Sequence, residues 1–158
     1  MGGRIRARLE ELGVVLSQAA APVANYSPYI LAGDLVYIAG QICVWNGELK
    51  FEGKLGREFN VKDGMQAARI CTLNILAQLE VACDGDLDRV RQCVRIGGLI
   101  NSTDDFVDIP QVMNGASDLL VEIFGDAGRH ARTAFSANSL PLGLAVEIEA
   151  TFQLHTVR

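Results

Sequence analysis

A chain of 158 residues, 49% hydrophobic and 21% charged, can bury one core without disulfide or metal staples. Its formal charge of −5 argues against a nucleic-acid partner, which needs a basic footprint, yet leaves room for a small anion held by one arginine. No apolar run approaches the ~20 residues of a membrane span, and the basic start lacks the apolar stretch of a secretory signal. The expectation is one cytoplasmic domain over residues 1–158 with no membrane partner.

Ile5, Leu9 and Leu12 recur at helical spacing before Gly13, which predicts a short N-terminal helical extension over residues 1–13. In "YILAGDLVYIAGQI", Gly33-Asp34 separates two strand-like runs, and Gly40 suggests a bulge or a close backbone approach. Asn46-Gly47 is a second hairpin dipeptide, and the stretch around Gly53 and Gly56 reads as a loop. Ala67, Ile70, Cys71, Asn74, Ile75, Gln78, Leu79 and Ala82 mark the clearest helix, with Asn60 as its N-cap and Asp63 in its first turn.

The run "RVRQCVRIGGLI" alternates Val90, Gln92, Val94 and Ile96 against Arg89, Arg91, Cys93 and Arg95, which predicts a strand with a basic face. A further helix follows, with Pro110 in its first turn and Gly125 as its C-cap. "GRHARTAFSANSLPLGLAVEIEA" reads as two short strands joined by the turn Ser139–Gly143, with Arg132 opening the first and "AVEIEATFQLH" carrying the second. In the second, Val146, Ile148, Ala150, Phe152 and Leu154 face one way, and Glu147, Glu149, Thr151, Gln153 and His155 the other.

Two substantial helices cover one face of a sheet, so the expected class is α+β, a mixed sheet of about six strands with one face left for water or a partner subunit. Cys43, Cys71, Cys83 and Cys93 form no C-x-x-C pair and have no nearby histidine, which predicts core thiols and no metal. Arg132 and Glu147 have no obvious partners in the neighbouring sequence. The arginine could be a carboxylate-binding group or half of a salt bridge to Glu147 or Asp126.

The run "ARTAFSANSLPLGLAVEIEA" resembles the signature of the RidA/YjgF family, in which A-R-[ST] leads through L-P to V-E-[IV]-E-A. "SPYILAGDLVYIAGQI" is similar to that family's G-P-Y…S-G-Q region. "NGASDLLVEIFGDAGRHAR" follows a longer bacterial branch labelled YjgF/chorismate-mutase-like or endoribonuclease L-PSP. The resemblance covers residues from about 24 to 156 and implies a chorismate-mutase-like fold. It also implies a homotrimer with clefts between subunits, and hydrolysis of enamines and imines to 2-oxo acids and ammonia without a cofactor.

Carried over residue by residue, Arg132 would bind the carboxylate of a small metabolite and Glu147 would hold or activate the hydrolytic water. Tyr29 would pack over the substrate, Asn114 would lie near the cleft, and Gly40 and Ala134 would contribute backbone contacts. The bland alternatives are a strand-start aromatic for Tyr29, a helix residue bonding local backbone for Asn114 and a bulge glycine for Gly40. Ala39, Ala134, Ser27 and Leu31 depart from the family's serine, cysteine, glycine and glutamine. Those departures keep open a non-catalytic carboxylate sensor on the same scaffold. Ribonuclease activity has only Arg89, Arg91 and Arg95 in its favour, and chorismate mutase activity only the analogy of fold.

Overall fold

The computed structural model describes residues 3–156. Helix α1 spans Arg4–Glu11 and buries Ile5 and Leu9. Its first backbone N–H groups are capped from outside the helix, because the Asp88 carboxylate accepts from the amides of Arg4 at 2.7 Å and Ile5 at 2.8 Å. Strands β1 (Tyr29–Ala32) and β2 (Leu35–Ile42) form the expected hairpin. A small separate ribbon, β3 (Val44–Trp45) and β4 (Glu48–Leu49), turns at Asn46-Gly47, both of which adopt positive φ.

Helix α2 spans Val61–Ala82 and opens with a capping box in which Asn60 and Asp63 exchange side-chain-to-backbone hydrogen bonds. Helix α3 spans Ile109–Phe124, with Pro110 in its first turn and Gly125 at φ +63 ending it. The two helices cross at Gly115, where a β-carbon would collide with the Met65 carbonyl, so only glycine permits this approach. Under α3, Gly98 makes room for the Met113 sulfur in the same way.

The main sheet has five strands in the order β1-β2-β7-β5-β6, where β5 is Val90–Asn101, β6 is Ala131–Ala137 and β7 is Val146–Leu154. All neighbours are antiparallel except β5 and β6, which run parallel. The fold is therefore α+β with a mixed sheet. Along β7 the alternation holds: Val146, Ile148, Ala150, Phe152 and Leu154 are buried under the helices. On the other face Ile30, Tyr37 and Phe135 are about half exposed, at 54%, 48% and 58%. This is the open face expected of a sheet with helices on one side.

The turn from Ser139 to Gly143 does not close a hairpin. The last two strands do not pair with each other, because β5 lies between them; the chain leaves β6 at the sheet edge and returns as β7 on the far side of β5. One expectation needs correction: the strand read as having a simple basic face is interrupted by register shifts at Val90/Gln92 and Cys93/Arg95. Val90, Cys93 and Ile96 therefore face the core while Val94 is exposed. Of its arginines, Arg89 pairs with Asp84 at 2.8 Å and Arg95 with Glu149 at 3.0 Å. All four cysteines are free and buried.

Candidate functional site

Arg132 sits on the edge strand β6. It pairs in register with Ile96, which pairs in turn with Ala150, and both of those are buried beneath the helices. The arginine thus emerges on the helix side, where α3 offers it two acceptors. Its Nη1 donates to Asn114 Oδ1 at 2.9 Å and to Ser117 Oγ at 3.1 Å. Asn114 and Ser117 are three residues apart and so share one helix face. Neither carries charge, and among the described residues no acid forms a salt bridge with this guanidinium. The salt-bridge alternative is not met: Asp126 pairs with Arg129 at 3.3 Å, and Glu147 lies on the opposite face of the sheet.

A histidine completes the support. His130 Nδ1 lies 2.6 Å from the Gly128 carbonyl, an acceptor only, so this nitrogen carries the proton. In the neutral ring Nε2 then accepts from the Ser117 hydroxyl at 2.9 Å, leaving Ser117 Oγ to accept from Arg132. The chain of donors runs from Arg132 through Ser117 and His130 to the backbone. It occupies Nη1 and leaves the Nε and Nη2 edge of the guanidinium without a protein partner among the described residues. That edge is the planar two-pronged donor that matches a carboxylate.

Glu147 pairs in register with Leu99 and points to the open face. Burial pushes its carboxyl above the usual carboxylate range, and the neighbouring Glu149 charge adds to the shift. Its carboxylate lies directly over Gly40, in the space a β-carbon there would take. Gly40 belongs to the irregularity between Ile38 and Gln41 where β2 slips one residue against β7. The bulge and the close approach predicted for this glycine are therefore one feature.

Glu147 forms part of the wall of two cavities. One, of about 230 Å³, lies on the open face among Arg95, Gly97, Thr133, Phe135 and Glu149. The other, of about 460 Å³, runs between the segment Gln18–Pro28 and the stretch from Gly40 to Val44, where β2 ends and β3 begins. Arg132 lines neither.

The candidate residues thus fall into two groups. Arg132, Asn114 and Ala134 gather on the helix side of β6; Gly40 and Glu147 meet at the junction of β2 and β7. Tyr29 opens β1, the opposite edge strand, and packs against the core rather than lining either cavity. Tyr26, which was not singled out from sequence, lines the larger cavity with Gln41 and Leu142. Ser117 and His130 were also missed, although position 130 shares a strand face with Arg132 by period two and position 117 shares a helix face with Asn114.

The family profile described as "YjgF/chorismate_mutase-like, putative endoribonuclease" matches residues 6–149. Protein TCP17 of Trypanosoma cruzi is 40% identical over 154 residues, covering 97% of this chain and 96% of that protein. A Shewanella oneidensis structure carrying the same endoribonuclease description superposes with a TM-score of 0.92 at 37% identity, covering 96% of this chain and all of the other. RidA from an Antarctic Psychrobacter is more distant, with a TM-score of 0.58 at 27% identity over 87% of this chain and 94% of its own. The match in fold extends over nearly the whole length of this chain and of these relatives. The chain belongs to the RidA/YjgF family.

Proposed function

We propose that this protein hydrolyses 2-imino acids, and their enamine tautomers, to 2-oxo acids and ammonia. Arg132 binds the substrate carboxylate through its Nε and Nη2 edge. Glu147 takes a proton from water as the water oxygen bonds to the imine carbon. The resulting carbinolamine receives that proton on nitrogen. Glu147 then takes the hydroxyl proton as the C–N bond breaks and the carbonyl forms, and it passes that proton to the departing ammonia, so that protonated imine and water become 2-oxo acid and ammonium. Neither a metal nor a redox cofactor enters this balance, because a protonated imine is already electrophilic.

The observation that carries the reading is the guanidinium of Arg132, held among the described residues only by the neutral acceptors Asn114 and Ser117. An arginine oriented without a countercharge is prepared for an anion. The raised carboxyl of Glu147 suits a proton carrier working nearer neutral pH than an ordinary glutamate. Membership of the family that contains RidA supports the reaction class.

Because Arg132 and Glu147 lie on opposite faces of one sheet, the same reading requires two copies of the chain. The β6 edge of one copy meets the β2/β7 junction of the next, closing a homotrimeric ring with sites between subunits. The exposed apolar residues of the open face, Ile30, Tyr37 and Phe135, fit burial in such a ring.

The test generates imines in situ with an amino-acid oxidase and follows their decay. Wild type accelerates it, and Arg132→Ala loses roughly a hundredfold or more in kcat/KM, the scale expected for deleting a paired charge. Undiminished activity in Arg132→Ala would remove the mechanism. Carboxylate binding without any turnover would leave a sensor in its place.

A further inference from the structure

We infer that the larger cavity beside Glu147 is a side-chain pocket, and that the substrates are 2-imino acids with bulky apolar side chains rather than the smallest ones. The inference rests on the hydrolysis proposed above and adds what the rest of the substrate looks like.

Helix α2 carries two polar residues, Asn74 and Gln78, in an otherwise mostly apolar stripe, and both are spent on building this cavity. Gln78 is only 3% exposed and donates from Nε2 to the Ala20 carbonyl at 2.8 Å. Asn74 clamps both walls at once. Its Nδ2 donates to the carbonyls of Ile42 at 3.0 Å and Val44 at 2.7 Å, while its Oδ1 accepts from the buried Ser17 hydroxyl at 2.5 Å. The Gln18 amide is held in turn by Asn46 Oδ1 at 3.0 Å. An irregular segment fixed by three side-chain hydrogen bonds, one of them to an asparagine that also holds the opposite wall, is a constructed wall. Burying polar groups costs free energy unless each is paired, so this investment marks a shape the fold maintains.

The surfaces so held are apolar: Ala20, Ala21, Pro22 and Val23 on one side, Ile42 and Val44 on the other. Among the described residues, Glu147 is the only charged one in the lining. At about 460 Å³ the cavity falls within the roughly 300–1,000 Å³ of small-ligand sites. A reacting carbon next to the Glu147 carboxylate therefore has an apolar space beside it that a methyl group would leave mostly empty. A branched or aromatic side chain would fill it, and each methylene placed there is worth roughly tenfold or more in discrimination.

The experiment compares imines formed in situ from alanine, leucine and phenylalanine, with wild type and Ala21→Phe, an exposed position where the larger side chain narrows the cavity without touching the core. Wild type is expected to favour the leucine- or phenylalanine-derived imine over the alanine-derived one by roughly tenfold or more in kcat/KM. In Ala21→Phe that preference collapses, the ratio of the bulky-imine to the alanine-imine kcat/KM falling toward one. Equal rates on all three imines, or a preference that Ala21→Phe leaves intact, would overturn the pocket and leave the hydrolysis standing. Failure on every imine, the alanine-derived one included, would overturn the hydrolysis itself.

Discussion

The carboxylate of Glu147 lies over the backbone of Gly40, with its carboxyl carbon 3.1 Å from where a β-carbon at position 40 would sit. The closest atom is the carboxylate oxygen Oε1, the far end of a flexible side chain, and Gly40 does not occupy the left-handed region. Gly40→Ala is therefore expected to fold and to displace only the glutamate. We expect stability within about 1 kcal/mol of wild type and a loss of roughly a hundredfold in kcat, the scale of an ångström misplacement of a reacting group. Thermal denaturation beside steady-state rates checks both halves.

Glu147 links activity to pH. Burial and Glu149 raise its carboxyl in the folded protein above its unfolded value. The folded state then binds more protons than the unfolded state across that interval, so stability falls as pH rises through it. The penalty is complete above the folded pKa and absent below the unfolded one. Glu147→Gln should accordingly raise the Tm at neutral pH, and the gain should fade as the pH drops below the ordinary carboxylate range. The same variant loses hydrolysis, and the acid limb of the wild-type rate profile should lie above the ~4.3 of a free glutamate.

Ser117 and His130 fix the rotamer of Arg132 without touching the proposed substrate. Ser117→Ala and His130→Phe should raise KM several-fold while changing kcat much less, with Tm lowered only modestly. A variant that lost kcat and KM together with its fold would place these residues in the framework instead. Circular dichroism beside the rate measurements separates the cases.

Asn74→Leu removes a donor pair and an acceptor from a half-buried position, stranding the Ile42 and Val44 carbonyls and the Ser17 hydroxyl. The expected cost is about 2–4 kcal/mol, read from denaturant unfolding. An unchanged midpoint would mean that water replaces the asparagine and that the wall is not held by it.

Much of this was legible in the sequence where local chemistry decides the outcome. Asn60 and Asp63 announce the start of α2, Asn46-Gly47 announces the β3–β4 turn, and the alternation from Val146 to Leu154 announces the buried face of β7. The failures are non-local. Nothing between Ala137 and Val146 reveals that β5 inserts between β6 and β7, since strand order depends on contacts from residues 90–101. Cys93 faces the core because bulges shift the register of β5, which no period-two pattern can express. Gly40 was legible as a special backbone position, whereas its partner Glu147 came from motif register alone. The support of Arg132 by Ser117 joins a helix to a strand 15 residues away, and only the folded chain brings them together.

The central claim is that Arg132 and Glu147, which one chain keeps apart, act together across two copies. Arg132→Ala and Glu147→Gln proteins, each inactive alone, should be mixed, dissociated and reassembled before their activity on imines is measured. In a cyclic ring with shared sites, a random equal mixture restores both groups at about a quarter of the interfaces, so activity should recover to about that fraction of wild type. Activity that stays at the level of the two parents after subunit exchange has been verified would contradict the account.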